Sequence, residues 1–96
     1  TGGKMSENLD TLRNKIKEID KKLVELLLER IKVVQQIGQI KIEKKMHIID
    51  KEREQEVISY VLSIPHDSID SEVLENIFWQ IIKVCRETQQ KQLPKT

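Results

Sequence analysis

Residues 9–40 read LDTLRNKIKEIDKKLVELLLERIKVVQQIGQI, and the spacing of their apolar side chains decides the fold. Leu9, Leu12, Ile16, Ile19, Leu23, Leu26, Arg30, Val33, Ile37 and Ile40 follow one another in steps of three and four. That repeat keeps one face of an α-helix against a partner. Nine of the ten positions are aliphatic and the seventh is a guanidinium. Arginine stays charged inside a protein, and burying it costs several kcal/mol unless an anion meets it. Arg30 therefore lies at the rim of the stripe, or the stripe faces a negative charge.

The rest of the chain agrees with a helical fold. Of its 96 residues 34% are charged and only 3% aromatic, with three glycines and two prolines, a balance that favours an all-α bundle over a sheet. The length suits one domain with a modest core. Seventeen basic and sixteen acidic residues leave a net charge of +1, so no global field draws the chain to nucleic acid or to a membrane surface. No apolar run reaches the roughly 18 residues of a membrane span. The single Cys85 cannot close an internal disulfide, which fits a reducing cytosol, and a cytoplasmic location is expected.

Three helices are predicted. The first runs from Asn8 or Leu9 to Ile42, with Ser6 or Asn8 as N-cap. Gly38 is its weak point, at about 1 kcal/mol relative to alanine, and is read as tolerated or closely packed. Residues 43–49 form a polar loop. The second helix starts near Asp50, carries Val57, Ile58, Val61 and Leu62 on one side, and is ended by Pro65, with His66-Asp67-Ser68 as the turn. The third runs from Ser68 or Ile69 to Gln90, with Val73, Leu74, Ile77, Phe78, Ile81, Ile82 and Cys85 at helical spacing. Residues 1–7 read as an N-terminal remnant outside the fold, residues 8–90 as the domain, and residues 91–96 as a frayed tail.

Length adds an expectation about assembly. A helix of about 33 residues spans ~50 Å, whereas a compact monomer of this size is only ~32 Å across. The first helix must then expose its stripe, and a contiguous apolar stripe marks an interface. An intertwined, domain-swapped homodimer of three-helix protomers is expected.

Several polar side chains interrupt the apolar faces. Lys41 follows Val34 and Ile37 beside the stripe that holds Arg30. Asp50, Glu54 and Ile58 form one row of the second helix, and Arg53, Val57 and Val61 the next. Asp50 also suits an N-cap, Glu54 the positive end of the helix dipole and Arg53 a local pairing. Gln89 comes four residues after Cys85, which reads as a small core residue. Arg13 sits beside Leu12. His47 and His66 read as solvated. Neither metal-ligand spacing nor a nucleophile with a histidine beside it is present in the sequence. Brought together, Arg13, Arg30, Lys41, Arg53, Asp50, Glu54 and Gln89 would make a cationic pocket with one acidic wall and one amide, suited to a small dianion bearing a hydroxyl.

These residues resemble the all-helical chorismate mutases over about Leu9 to Gln90. The resemblance rests on Leu12-Arg13-x-x-Ile16-x-x-Ile19-Asp20, Leu27-x-Glu29-Arg30, Gly38-x-x-Lys41, Asp50-x-x-Arg53-Glu54, and Phe78-x-x-Ile81-Ile82 with Thr88-Gln89-Gln90. Each piece is short; their order and spacing make the likeness specific. It implies a domain-swapped dimer and the Claisen rearrangement of chorismate to prephenate in phenylalanine and tyrosine biosynthesis, with no metal and no cofactor. It further implies that Arg30 and, from the other protomer, Arg13 hold substrate carboxylates, and that Lys41 meets a carboxylate and the ether oxygen. Gln89 would donate to the same oxygen, while Glu54, the Asp50 backbone and Arg53 serve the ring hydroxyl. Close relatives often place a serine where this chain has Cys85, and a thiol is a poor donor, so Cys85 is the weakest substrate contact of the set.

Two other readings compete. An isochorismate pyruvate-lyase on the same scaffold would release salicylate and pyruvate instead of prephenate. A helical dimerisation or regulatory module of an aromatic-pathway enzyme would need none of the polar set, and a bare coiled coil leaves Arg30 and Gln89 without a reason. With the ordered set from Arg13 to Gln89 in place, the resemblance makes the substrate the anion that Arg30 faces.

Overall fold

A computed structural model describes the backbone of residues 2–94 and the side chains of residues 8–94. The chain is all-α, with three helices and no strand among the described residues: α1 (Gly2–Glu43), α2 (Lys51–Ser63) and α3 (Ser71–Gln92). By its internal contacts it divides into Thr1–Arg30 and Ile31–Thr96. In the first unit every described residue from Asn8 to Glu29 is exposed. The second holds the end of α1, all of α2 and α3, and the core.

Helix boundaries follow local chemistry, and three of them differ from expectation. The first helix reaches back to Gly2, so Ser6 and Asn8 lie within it rather than at its cap; residues 4–8 contain no proline or glycine to stop it. At its other end Met46 N–H donates to Lys41 O (2.8 Å) and Lys45 N–H to Ile42 O (3.1 Å), while Lys45 has φ 56°. This is a Schellman ending with lysine at the left-handed position that glycine usually fills. The second helix opens as predicted, with Asp50 Oδ1 accepting from Arg53 N–H at 3.0 Å.

The third helix starts at Ser71, later than expected, because Ile69 N–H donates back to His66 O at 3.0 Å and closes the turn. It ends at Gln92, two residues later than expected. Leu93, which precedes Pro94, is extended (φ −63°, ψ 139°), the conformation proline imposes on the residue before it. His66 is not simply solvated. It is half-buried, with Nδ1 2.6 Å from Ile64 O and Nε2 2.8 Å from Ser71 Oγ. A carbonyl can only accept, so Nδ1 carries a proton and the ring ties the turn to the first residue of α3.

The buried apolar residues are Ile48, Ile58, Val61, Ile82 and Cys85. The end of α1 turns a different face to this core from the one its long stripe offers. Ile31, Val34, Lys41 and Ile42 are half-buried and Gly38 is buried, whereas the stripe residues Val33, Ile37 and Ile40 are exposed. Gly38 is closely packed, in line with expectation. A Cβ there would collide with the Gln92 amide and stand 3.3 Å from Gln89 Cγ.

Candidate functional site

Six of the eight candidate residues belong to Ile31–Thr96, and Arg13 and Arg30 to Thr1–Arg30. Arg13 is exposed and Arg30 half-buried, so Arg30 is neither a free surface charge nor a core residue.

Within the larger unit two amides of α3 fasten it to α1. Gln89 is buried, and its Nε2 donates to Val34 O at 3.1 Å; one turn later Gln92 Nε2 donates to Gln35 O at 2.9 Å. Buried polar groups of this kind hold position because leaving them unpaired costs about 1–3 kcal/mol. Lys41, three residues beyond Gly38, is half-buried and donates from Nζ to Ile48 O at 3.1 Å, tying the α1–α2 loop back to α1. Both donors thus have one hydrogen committed to a backbone carbonyl. The amide nitrogen of Gln89 has a second hydrogen and the ammonium of Lys41 two more.

The acidic wall draws on both α2 and α3. Glu54 does not pair with Arg53, whose guanidinium is exposed and bonds Glu56 at 3.1 Å. Its partner is Arg86 of α3, with Nε 3.1 Å from Oε2 and Nη2 2.5 Å from Oε1. Sequence reasoning missed Arg86. The signal was there, because Arg86 follows Ile82 by four and precedes Gln89 by three, and so continues a buried row as a cation. Hydrogen bonding to Glu54, more than the charge itself, raises the Arg86 guanidinium above its usual value, against a smaller opposing effect of desolvation. A base whose folded value is raised keeps its contribution to stability at all lower pH and loses it only as pH climbs through that value. The pair therefore survives across the neutral range on the arginine side.

Asp50 is committed to its cap through Oδ1, and its carbonyl accepts from Glu54 N–H at 3.0 Å. Cys85 is buried beside Ile82 in the apolar row of α3, which fits the core role expected of it.

The three helices each contribute one polar group held in place by hydrogen bonds: the half-buried Lys41 of α1, the braced carboxylate of Glu54 in α2 and the buried amide of Gln89 in α3, a small all-α domain with a polar interior. Among known proteins, the family model for chorismate mutase type II matches residues 12–90. The chain belongs to that family. It is 36% identical over 91 residues to the bifunctional chorismate mutase/prephenate dehydratase of Buchnera aphidicola subsp. Acyrthosiphon pisum (strain APS), covering 94% of this chain and 24% of that protein. It is 33% identical over 89 residues to the protein of the same name from Aquifex aeolicus (strain VF5), covering 88% and 25%. The chain thus spans about a quarter of the length of these curated relatives.

Two solved structures of chorismate mutase from Thermus thermophilus share the fold. Form II superposes with a TM-score of 0.85 at 24% identity, covering 91% of this chain and 99% of that one. Form I gives 0.79 at 26% identity, covering 81% and 98%. No helix among the described residues is long and apolar enough to cross a membrane.

Proposed function

We propose that the chain converts chorismate to prephenate by a Claisen rearrangement, as a cytoplasmic isomerase of aromatic amino acid biosynthesis that uses no metal or cofactor. The observation that carries this reading is the family match across residues 12–90, a span that contains every candidate from Arg13 to Gln89. The reaction moves electrons within one molecule, so the protein must fold the enolpyruvyl arm over the ring and stabilise charge on the breaking ether bond.

Arg30 and Arg13 hold the two carboxylates, which selects the reactive conformer. Lys41 and Gln89 donate to the ether oxygen as negative charge grows there, and so act more strongly on the transition state than on the substrate. Their anchorage supports this role. With one hydrogen of each fixed on Ile48 O or Val34 O, the remaining hydrogens need little reorganisation when the charge develops. An amide also donates at every pH. Glu54, with the Asp50 backbone, receives the ring hydroxyl. Arg53 and Cys85 are the weakest members of the set, one exposed and bonded to Glu56 and the other in an apolar row.

The active unit is a domain-swapped homodimer in which Arg13 serves the partner's site. The α1 stripe supports this assembly. Leu9, Leu12, Ile16, Ile19, Leu23 and Leu26 are between 47% and 61% exposed in the single chain, a row of leucine and isoleucine that water disfavours.

The decisive experiment is loss of chorismate absorbance on adding the protein, with prephenate as product. Release of salicylate and pyruvate from isochorismate, with chorismate untouched, would favour the lyase instead, and no reaction with either would favour a regulatory module. Mixing Arg13→Ala with Arg30→Ala protomers tests the shared site. Each variant alone should be nearly inactive, and the mixture should regain about one competent site per heterodimer. A mixture that stays inactive while forming heterodimers refutes the sharing.

A further inference from the structure

The ion pairs Lys21–Glu25 and Arg53–Glu56 join residues within one helix, and their side chains are more than 60% exposed. Glu54–Arg86 is of another kind. It joins α2 to α3 across 32 positions of sequence, and the Glu54 side chain is only 15% exposed. Each carboxylate oxygen takes one hydrogen from the guanidinium, Oε2 from Nε and Oε1 from Nη2. Two separate bonds from one rigid, planar group fix both the position and the plane of the carboxylate, which a single lysine cannot do.

A carboxylate offers about four lone-pair positions, and Arg86 occupies two. What remains is a pair of acceptor positions with a fixed direction. Such a group recognises an O–H and repels a second carboxylate. The exposed Arg53, turned to Glu56, supplies none of this support. The bracing comes from the helix that also carries Gln89, one turn further on.

We propose that Arg86 is a positioning residue that aims Glu54 at the substrate hydroxyl and so sets the preference for a hydroxylated ring. The inference rests on the chorismate mutase reading given above and deepens it. It differs from a purely structural tie between α2 and α3, which would stabilise the fold without affecting which ligand binds.

The test compares wild type, Arg86→Met, Arg86→Lys, Glu54→Ala and the Arg86→Met/Glu54→Ala double variant. Two quantities are read: kcat and KM for chorismate, and the inhibition constant of a chorismate analogue lacking the ring hydroxyl. A contact made equally in substrate and transition state moves KM rather than kcat. Losing the aim of a hydrogen bond to a charged group should therefore raise KM about tenfold, with kcat changed less than about threefold.

The analogue has no hydroxyl to lose, so its inhibition constant should stay within about twofold in Arg86→Met. Arg86→Lys should recover part of the KM change, and the double variant should be no worse than Glu54→Ala alone, because Arg86 acts through Glu54. A KM that does not move, or an inhibition constant that rises in step with KM, overturns the proposal and leaves Arg86 as a helix tie. Should Arg86→Met fail to fold, Arg86→Lys decides by the same two quantities. Absence of turnover in the wild type would sink the chorismate mutase reading itself, whereas normal wild-type turnover with an unaltered KM in the variants sinks the Arg86 inference alone.

Discussion

Gly38→Ala should leave stability almost unchanged and damage turnover. Three magnitudes decide this. Alanine in place of glycine inside α1 contributes about 1 kcal/mol through helix propensity. Against that, the new Cβ meets the Gln92 amide, with Gln92 Cδ at 3.1 Å and its Oε1 nearer still. The amide must swing away and give up its 2.9 Å bond to Gln35 O, a loss of about 0.5–1.5 kcal/mol. The third effect partly offsets the second, since Gln92 Oε1 is buried with no hydrogen-bond partner and moving outward hydrates it. The net change in stability should stay within about 0.5 kcal/mol, or about 3 °C in Tm.

Gln89 has no such escape. Its Cγ would lie 3.3 Å from the new methyl, so it must shift by a few tenths of an ångström, and its Nε2 is the proposed ether-oxygen donor. Complete loss of such a donor costs about 10²–10³ in kcat, so misplacement should cost about tenfold. The assay is urea denaturation beside steady-state kinetics. An unchanged kcat would refute the link between Gly38 and Gln89, and destabilisation beyond about 2 kcal/mol would mean the crowding is between backbones. In a Gln92→Ala background the same substitution should stabilise by up to about 1 kcal/mol, the propensity term less the cost of shifting Gln89.

Other expectations concern single features. Lys45→Gly should stabilise by about 0.5–1 kcal/mol in urea melts, because lysine holds φ 56° at a cost glycine avoids, less the extra freedom glycine gives the unfolded chain; a destabilised variant would refute the ending described for α1. Asp50→Ala removes the side-chain acceptor for Arg53 N–H and should cost about 1 kcal/mol, whereas Asp50→Asn should cost only a few tenths. Leu23→Asp places a charge in the exposed stripe of α1 and should yield a monomer with reduced helicity by sedimentation and circular dichroism. A stable dimer would show that the stripe is not the interface.

Much of the fold was legible because it depends on short-range chemistry. The spacing from Leu9 to Ile40 gave a helix, Asp50 gave a cap and Pro65 an end, each decided within four or five residues. The boundary errors came from contacts one step longer. The start of α3 depends on Ile69 N–H reaching His66 O, and the role of His66 on Ser71 across the turn. Arg86 was harder, because its partner is 32 positions away and spacing does not reveal which α2 carboxylate lies opposite a given α3 residue. The test applied to Arg30, a cation on an apolar row, would have flagged Arg86 after Ile82. Gln92 reads as tail although no breaker stands before Pro94, because the carbonyl that fixes it, Gln35 O, belongs to another helix.

The exposed stripe bears on stability as well as on assembly. No described side chain is fully buried in the single chain, so the core around Ile58, Val61 and Ile82 is thin for a 96-residue domain. Six stripe residues from Leu9 to Leu26 are about half exposed, and covering the rest of each yields roughly 1 kcal/mol. Two protomers then gain on the order of 12 kcal/mol from these residues alone. Association costs about 4–15 kcal/mol, so the stripe covers much or all of that cost and the inward faces of the helices supply the remainder. Most of a helix's stability in a protein comes from packing its amphipathic face rather than from propensity, and residues 8–29 of α1 are all exposed in the single chain. Folding and dimerisation are therefore one transition under the proposed assembly, and Tm should rise with protein concentration. A Tm that stays constant across a hundredfold dilution would show that the single chain is stable by itself, and would remove the physical reason for the swap.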